Sequence, residues 1–138
     1  MAVLKRKIVV RLHETDAAGL LFFANQFFYA HDMYEELLSS IGLPMEDLLA
    51  HSDFLVPIVH AESQYLEGLS VGQELEASVA VGNIGNTSYT LEYELRSLAG
   101  NVVGRTKTVQ VSIDRGTRKK IPLPAQLRNR LAAFQAQP

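Results

Sequence analysis

The 138-residue chain contains no cysteine. That excludes disulfide frameworks, thiol nucleophiles and cysteine-ligated zinc together, and it fits a reducing, cytoplasmic setting. The chain also lacks an excess of either charge. Thirteen Lys and Arg stand against 15 Asp and Glu, a formal net charge of -2, so no overall basic field points to nucleic acid or an anionic membrane surface. No apolar run reaches the roughly 18 residues that a spanning helix needs. Lys5, Arg6 and Lys7 are not followed by the apolar stretch of a secretory signal. Phosphate-cradling glycine loops, basic stripes interleaved with aromatics and internal repeats are missing too. What is present is a composition 47% hydrophobic and 20% charged. It suits one compact domain over residues 1–138, able to bury about two thirds of its unfolded surface without staples.

Patterning gives the order of elements. Ile8, Val9, Val10 and Leu12 among Lys5, Arg6, Lys7 and Arg11 predict a first strand over Leu4 to Leu12. Phe27, Ala30, Tyr34, Leu37, Leu38 and Ile41 recur at three and four residues and predict an amphipathic helix, with Asn25 as its N-cap and Gly42 and Pro44 as its stop. A short helical turn follows over Met45 to Ala50. The period then changes to two. An irregular strand spans Phe54 to Glu67, with Pro57 suggesting an edge. Leu69, Val71, Leu75, Ala77, Val79 and Val81 share one parity in the next, and Tyr89, Leu91, Tyr93 and Leu95 alternate in the third. Gly82 to Asn86 and Ala99 to Asn101 are turn-rich, and Val102 to Ile113 supplies the last long strand. Pro122 and Pro124 precede a closing helix over Ala125 to Phe134. One strand, one long helix, four consecutive hairpin strands and a final helix predict an α+β domain with an antiparallel sheet.

Several stretches could carry chemistry. Gly68-Leu69-Ser70-Val71-Gly72 matches the letters of a serine-hydrolase nucleophile elbow. Ser70 leads into a two-period strand rather than a helix, however, and His13, His31, His51 and His60 all precede it, so the segment reads as a bend. His31 with Glu35 and His60 with Glu62 share faces without a recognised metal-ligand spacing, and no metal is expected. The informative segment runs from His13 to Asn25. It places one acid, Asp16, before small residues, Gly19, an apolar run and a helix start. A carboxylate can act as nucleophile or general base on a carbonyl, while helix-terminal N–H groups hold the developing oxyanion. Phe22 and Phe23 are expected to desolvate Asp16 partly and raise its reactivity. The same Asp-x-x-Gly composition also makes a plain turn and cap.

The segment Thr15-Asp16-Ala17-Ala18-Gly19-Leu20-Leu21-Phe22-Phe23-Ala24-Asn25, followed by a long helix and hairpin strands, resembles the 4-hydroxybenzoyl-CoA thioesterase branch of the hotdog-fold superfamily. With Phe27, Tyr29, Tyr34 and Glu35 it is most similar to the 1,4-dihydroxy-2-naphthoyl-CoA thioesterases of phylloquinone and menaquinone synthesis. Benzoyl- and fatty acyl-CoA thioesterases share most of these letters. The resemblance implies a long central helix wrapped by a five-stranded antiparallel sheet, and a homodimer or a tetramer of two dimers whose active sites lie between subunits. It puts the catalytic carboxylate on Asp16, the oxyanion N–H near Phe23 and the following glycine on Gly19. Phe22, Phe23 and Tyr29 would then line the acyl pocket. Many relatives carry a second Asp where this chain has Glu14, which questions an auxiliary acid there. A thioester is already activated, so no cofactor is implied beyond the CoA of the substrate. For the CoA phosphates the candidates are Arg118, Lys119 and Lys120 beside Arg115, with Arg105 and Lys107 just upstream. A hydratase would pair a His with an acid on the helix, where only His31 stands, and in a non-catalytic acyl-CoA binder Asp16 would be a cap.

Overall fold

The computed structural model describes residues 2–138. Strand β1 (Leu4–Val9) leads through a 3₁₀ turn (Leu12–Glu14) and a loop into helix α1 (Asn25–Ser40). Helix α2 (Met45–His51), β2 (Phe54–Leu55), β3 (Ile58–Tyr65), β4 (Glu74–Ile84), β5 (Ser88–Ser97), β6 (Val102–Val111), β7 (Ile113–Asp114) and α3 (Ala125–Gln135) follow. The five long strands form one antiparallel sheet in the order β1-β4-β5-β6-β3, and the two short ones pair with each other.

This order corrects the expected run of four hairpins. Strands β4, β5 and β6 are successive hairpin neighbours, but β3 crosses the sheet to pair with β6, Glu62 opposite Lys107 and Tyr65 opposite Gly104. The excursion leaves β3 at an edge, its other side unpaired among the described residues. The irregular strand read over Phe54 to Glu67 breaks at Pro57, which cannot donate to a ladder, and its first two residues pair instead with β7. Leu69 and Val71 belong to a bend before β4. Leu12 lies in the 3₁₀ turn.

Alternation decides which face is buried. Leu75, Ala77, Val79 and Val81 of β4 and Tyr89, Leu91, Tyr93 and Leu95 of β5 all face the helices and are almost inaccessible. The helices answer with Met33, Tyr34, Leu37 and Leu38 from α1 and Leu127, Leu131 and Phe134 from α3, in one continuous apolar cluster. Burying each large side chain contributes about 1.5–3 kcal/mol relative to leaving it in water. The core is therefore covered by α1 and α3 together, both packed on β4, where a single central helix was expected. Most polar groups inside it are paired, as between the Tyr34 and Tyr89 hydroxyls at 2.7 Å, while Gln110 Oε1 has no partner among the described residues. No helix among the described residues is long and apolar enough to cross a membrane.

Candidate active site

The segment between β1 and α1 is a small closed frame. The Asp16 N–H donates to Leu20 O at 2.8 Å, and the Phe22 N–H to Glu14 O at 2.9 Å. Thr15 and Leu21 bridge across the base. Gly19, at φ +78°, makes the return, a conformation where a side chain would be strained. The Asp16 carboxylate takes the Ala18 N–H on Oδ1 at 2.9 Å and, more weakly, the Leu20 N–H at 3.4 Å. One oxygen is thus held by the turn, and the carboxylate faces solvent.

Glu14 supports this frame and is not placed as a second reactive acid. Its carboxylate accepts the Arg11 N–H and the Tyr29 hydroxyl, each at 2.8 Å. Burial first, and then the hydrogen bond and charge of Glu14, push the Tyr29 hydroxyl above its ordinary range, so it stays protonated and donates. Tyr29 is 7% exposed and packs into the core from the first turns of α1. The Asn25 side chain does not cap the helix as its position suggested. Asn25 is the first helical residue, and its Nδ2 donates to Glu14 O at 2.7 Å, tying the helix to the frame.

Helix α1 starts here with its first three amides already paired, Asn25 to Phe22 O, Gln26 to Phe23 O and Phe27 to Ala24 O. The Phe22 carbonyl accepts the Asn25 N–H at 2.9 Å. The Phe23 N–H, on the far side of that same peptide, has no acceptor among the described residues. Phe22 is 42% and Phe23 60% exposed, their rings 4.7 Å apart. The expected desolvation of Asp16 by these rings is therefore absent within one chain. An anionic oxygen arriving at this helix end would meet an N–H, an apolar surface and a carboxylate in the adjacent frame.

Side chains that the sequence reading passed over hold this end to the sheet. The Tyr65 hydroxyl, at the end of β3, donates to Phe23 O at 2.9 Å. Gln26 is 3% exposed, and its Nε2 donates to Gln64 O on β3 at 3.0 Å and Arg105 O on β6 at 3.2 Å. A polar residue in the apolar stripe of an amphipathic helix was the available signal. The Gly-x-Ser-x-Gly segment also acquires a backbone explanation. Leu69 O accepts the Leu21 N–H at 2.7 Å, Ser70 bridges Leu20, and a side chain at Gly68 would crowd Leu20 at 3.1 Å.

The basic residues divide into three groups. Arg115 is spent on the carbonyls of Leu48, Leu49 and Ser52 at the end of α2. Arg118, Lys119 and Lys120 are exposed around the turn after β7, with Arg118 at φ +64°. Arg118 rims an apolar groove of about 240 Å³ lined by Met45, Leu48, Phe54 and Val56. Arg105 and Lys107 lie mid-strand on the outer sheet face, in a groove of about 470 Å³ with Glu62, Glu92 and Glu94, and Arg105 is 3.5 Å from Glu94. The structure does not gather these two with the turn. His31 lies 3.5 Å from Glu35, and His60 3.4 Å from Glu62, all exposed. No three His, Asp or Glu groups among the described residues are arranged to hold a metal.

Comparison with known proteins matches this architecture. The model of the thioesterase-like superfamily covers residues 10–131. A 1,4-dihydroxy-2-naphthoyl-CoA hydrolase of Nostoc punctiforme is 35% identical over 118 residues, 86% of this chain and 79% of the relative. One of Microcystis aeruginosa is 32% identical over 121 residues, 88% of this chain and 87% of the relative. The crystal structure of a 1,4-dihydroxy-2-naphthoyl-CoA thioesterase from Synechocystis superposes with a TM-score of 0.87 at 26% identity, covering 94% of this chain and 96% of that one.

Proposed function

Because the chain belongs to the thioesterase-like superfamily, we propose that it hydrolyses an aromatic acyl-CoA, with 1,4-dihydroxy-2-naphthoyl-CoA as substrate and Asp16 as catalytic carboxylate. The observation that carries the reading is the frame in which Asp16 is hydrogen-bonded to Leu20 and Ala18, ahead of a helix start whose preceding Phe23 N–H has no acceptor among the described residues. Asp16 either attacks the thioester carbon or takes a proton from the attacking water. The carbonyl oxygen gathers negative charge and is held by the Phe23 N–H. Collapse breaks the C–S bond and CoA leaves as the thiol; where Asp16 is the nucleophile, water then cleaves the Asp16–acyl anhydride, and in either case the free acid is the second product. Water is the only co-reactant this reaction consumes.

Phe22 and Phe23 form the acyl wall in this reading, while Tyr29, buried and bonded to Glu14, supports the frame instead of lining the pocket; Gly19 sets the loop, and Arg118, Lys119 and Lys120 meet the CoA phosphates. The enclosure that one chain lacks comes from a second copy, giving a cytoplasmic homodimer or a pair of dimers. Two observations support that assembly. The outer edge of β3 is unpaired among the described residues, and Val59, Tyr65 and Leu66 along and beside it are 58%, 47% and 47% exposed, an edge that folded proteins ordinarily cover. Light scattering at micromolar concentration is expected to give a dimer or larger, and a monomer would contradict a shared site. Turnover of a panel of dihydroxynaphthoyl-, benzoyl- and fatty acyl-CoA tests the substrate. The first is expected to have the highest kcat/KM, and a preference for long aliphatic chains would reject that choice.

A further inference from the structure

Gln26 and Tyr65 stand outside the Asp16 frame, yet both tie the start of α1 to the sheet. Gln26 is a buried amide in a stripe otherwise made of Tyr29, Ala30, Met33 and Leu37. Gln64 O and Arg105 O can only accept, so the nitrogen of the amide must face them. Its Nε2 also lies 3.4 Å from Thr106 Oγ1, which in turn is 2.7 Å from Ser63 Oγ. The amide lies flat over Gly104, where a Cβ would stand 2.7 Å from Gln26 Oε1 and 3.0 Å from its Nε2. The strand therefore carries the one residue type that leaves the amide room. Tyr65 pins the turn three residues earlier through Phe23 O, the carbonyl that also receives the Gln26 N–H at 3.4 Å.

These contacts make a clamp with a defined load. The Phe23 peptide units are fixed on the helix side by Asn25 and on the sheet side by Tyr65 and Gln26. With either sheet-side bond gone, the first turn can pivot about its ties to Glu14. We propose that Gln26 and Tyr65 are positioning residues that fix the Phe23 N–H against the edge of the β3–β6 ribbon, so that it is in place when the oxyanion forms. The inference rests on the function proposed above. A donor that acts chiefly on the transition state affects kcat, while uniform binding affects KM.

The test uses the full chain with 1,4-dihydroxy-2-naphthoyl-CoA and compares wild type with Gln26→Ala, Tyr65→Phe and Gly104→Ala. Tyr65→Phe removes one oxygen from a half-exposed ring. Gly104→Ala displaces the Gln26 amide without altering it. Each is expected to lower kcat roughly 10- to 100-fold, as a misplacement of about 1 Å does, with KM within about twofold of wild type. Variants whose kcat stays within about twofold of wild type overturn the inference. So does a rise in KM at unchanged kcat, which would mean that the clamp serves binding. Should Gln26→Ala fail to fold, Tyr65→Phe decides alone. A wild-type chain that hydrolyses no acyl-CoA fells the functional reading itself, an outcome visible before any variant is compared.

Discussion

Two aspartates sit in turns of nearly the same build at opposite ends of the chain. Asp16 accepts the Ala18 N–H at 2.9 Å. Asp114 accepts those of Gly116 at 2.9 Å and Thr117 at 2.7 Å. Asp16 is exposed and Asp114 half-buried, and both open a tight return, closed in the second by Asp114 N–H on Lys119 O at 2.8 Å. What separates them is the surroundings. The Asp16 turn is braced by Glu14, Asn25 and Leu69 and delivers the chain into a 16-residue helix. The Asp114 turn is followed by basic residues and no helix start. Turn geometry at an aspartate does not distinguish a reacting carboxylate from a structural one. In the proposed function, what sets Asp16 apart is the Phe23 N–H just before α1, without an acceptor among the described residues and beside an apolar surface.

The sharpest way to break the comparison is to make the same substitution in both turns. Asparagine keeps the side-chain oxygen that accepts the amides but removes the charge. Asp16→Asn is expected to lower kcat by roughly 10²–10⁴-fold, the range for loss of a positioned acid or base, with the melting temperature and oligomeric state retained. Asp114→Asn is expected to leave kcat unchanged. Equal turnover by the two variants would mean that Asp16 is only a turn residue. A second test removes the brace that Asp114 lacks. Glu14→Ala strips the Tyr29 hydroxyl and the exposed Arg11 N–H of their acceptor, and leaving the buried tyrosine donor unpaired costs about 1–3 kcal/mol. Urea unfolding should show that loss together with reduced kcat, and unchanged stability would remove Glu14 from the frame.

These contrasts also mark what was legible in the sequence. The helix over Asn25–Ser40 and the alternating strands β4 and β5 follow from periods of 3.6 and 2 in side chains that must all face one core. The position of β3 was not legible, because nothing in a strand's own residues says which neighbour it pairs with, and the hairpin rule favours the next in sequence. The site divided the same way. Asp16 and Gly19 stood out because a turn and a helix start are local events. Gln26, Tyr65 and Gly104 did not, since their roles exist only once β3 and β6 lie under the first turn of α1. The polar residue at Asn25 misled for a related reason. Capping is a local rule, and here the Glu14 carbonyl outbids it from 11 residues away.

The turn after β7 offers a smaller effect. In the proposed role, Arg118 and Lys119 meet phosphates in water, where one screened contact is worth about 1 kcal/mol, or roughly fivefold in affinity. Replacing both by Ala should raise KM for CoA esters and leave short pantetheine esters, which lack the nucleotide, unaffected. Equal effects on the two substrates would take the phosphates away from this turn and weaken the contrast between its basic surroundings and those of Asp16.

The smallest expected effect is the pH dependence of the Asp114 turn. Hydrogen bonds from the Thr117 backbone, and secondarily from Gly116, hold the Asp114 carboxyl below the usual carboxylate value. A carboxyl whose folded value is depressed favours the folded state while ionised. Its contribution is complete above the unfolded value of about 4 and disappears as pH falls through the lower folded value. Asparagine at this position is uncharged throughout. The melting temperature of wild type should therefore exceed that of Asp114→Asn by a small, constant margin from neutral pH down to about 5, and the margin should close on further acidification. The partial exposure of Asp114 keeps this margin small, because water screens most of what the amides gain. A margin that widened in acid would reverse the sign of the linkage and remove the charge of Asp114 from the forces that hold the turn.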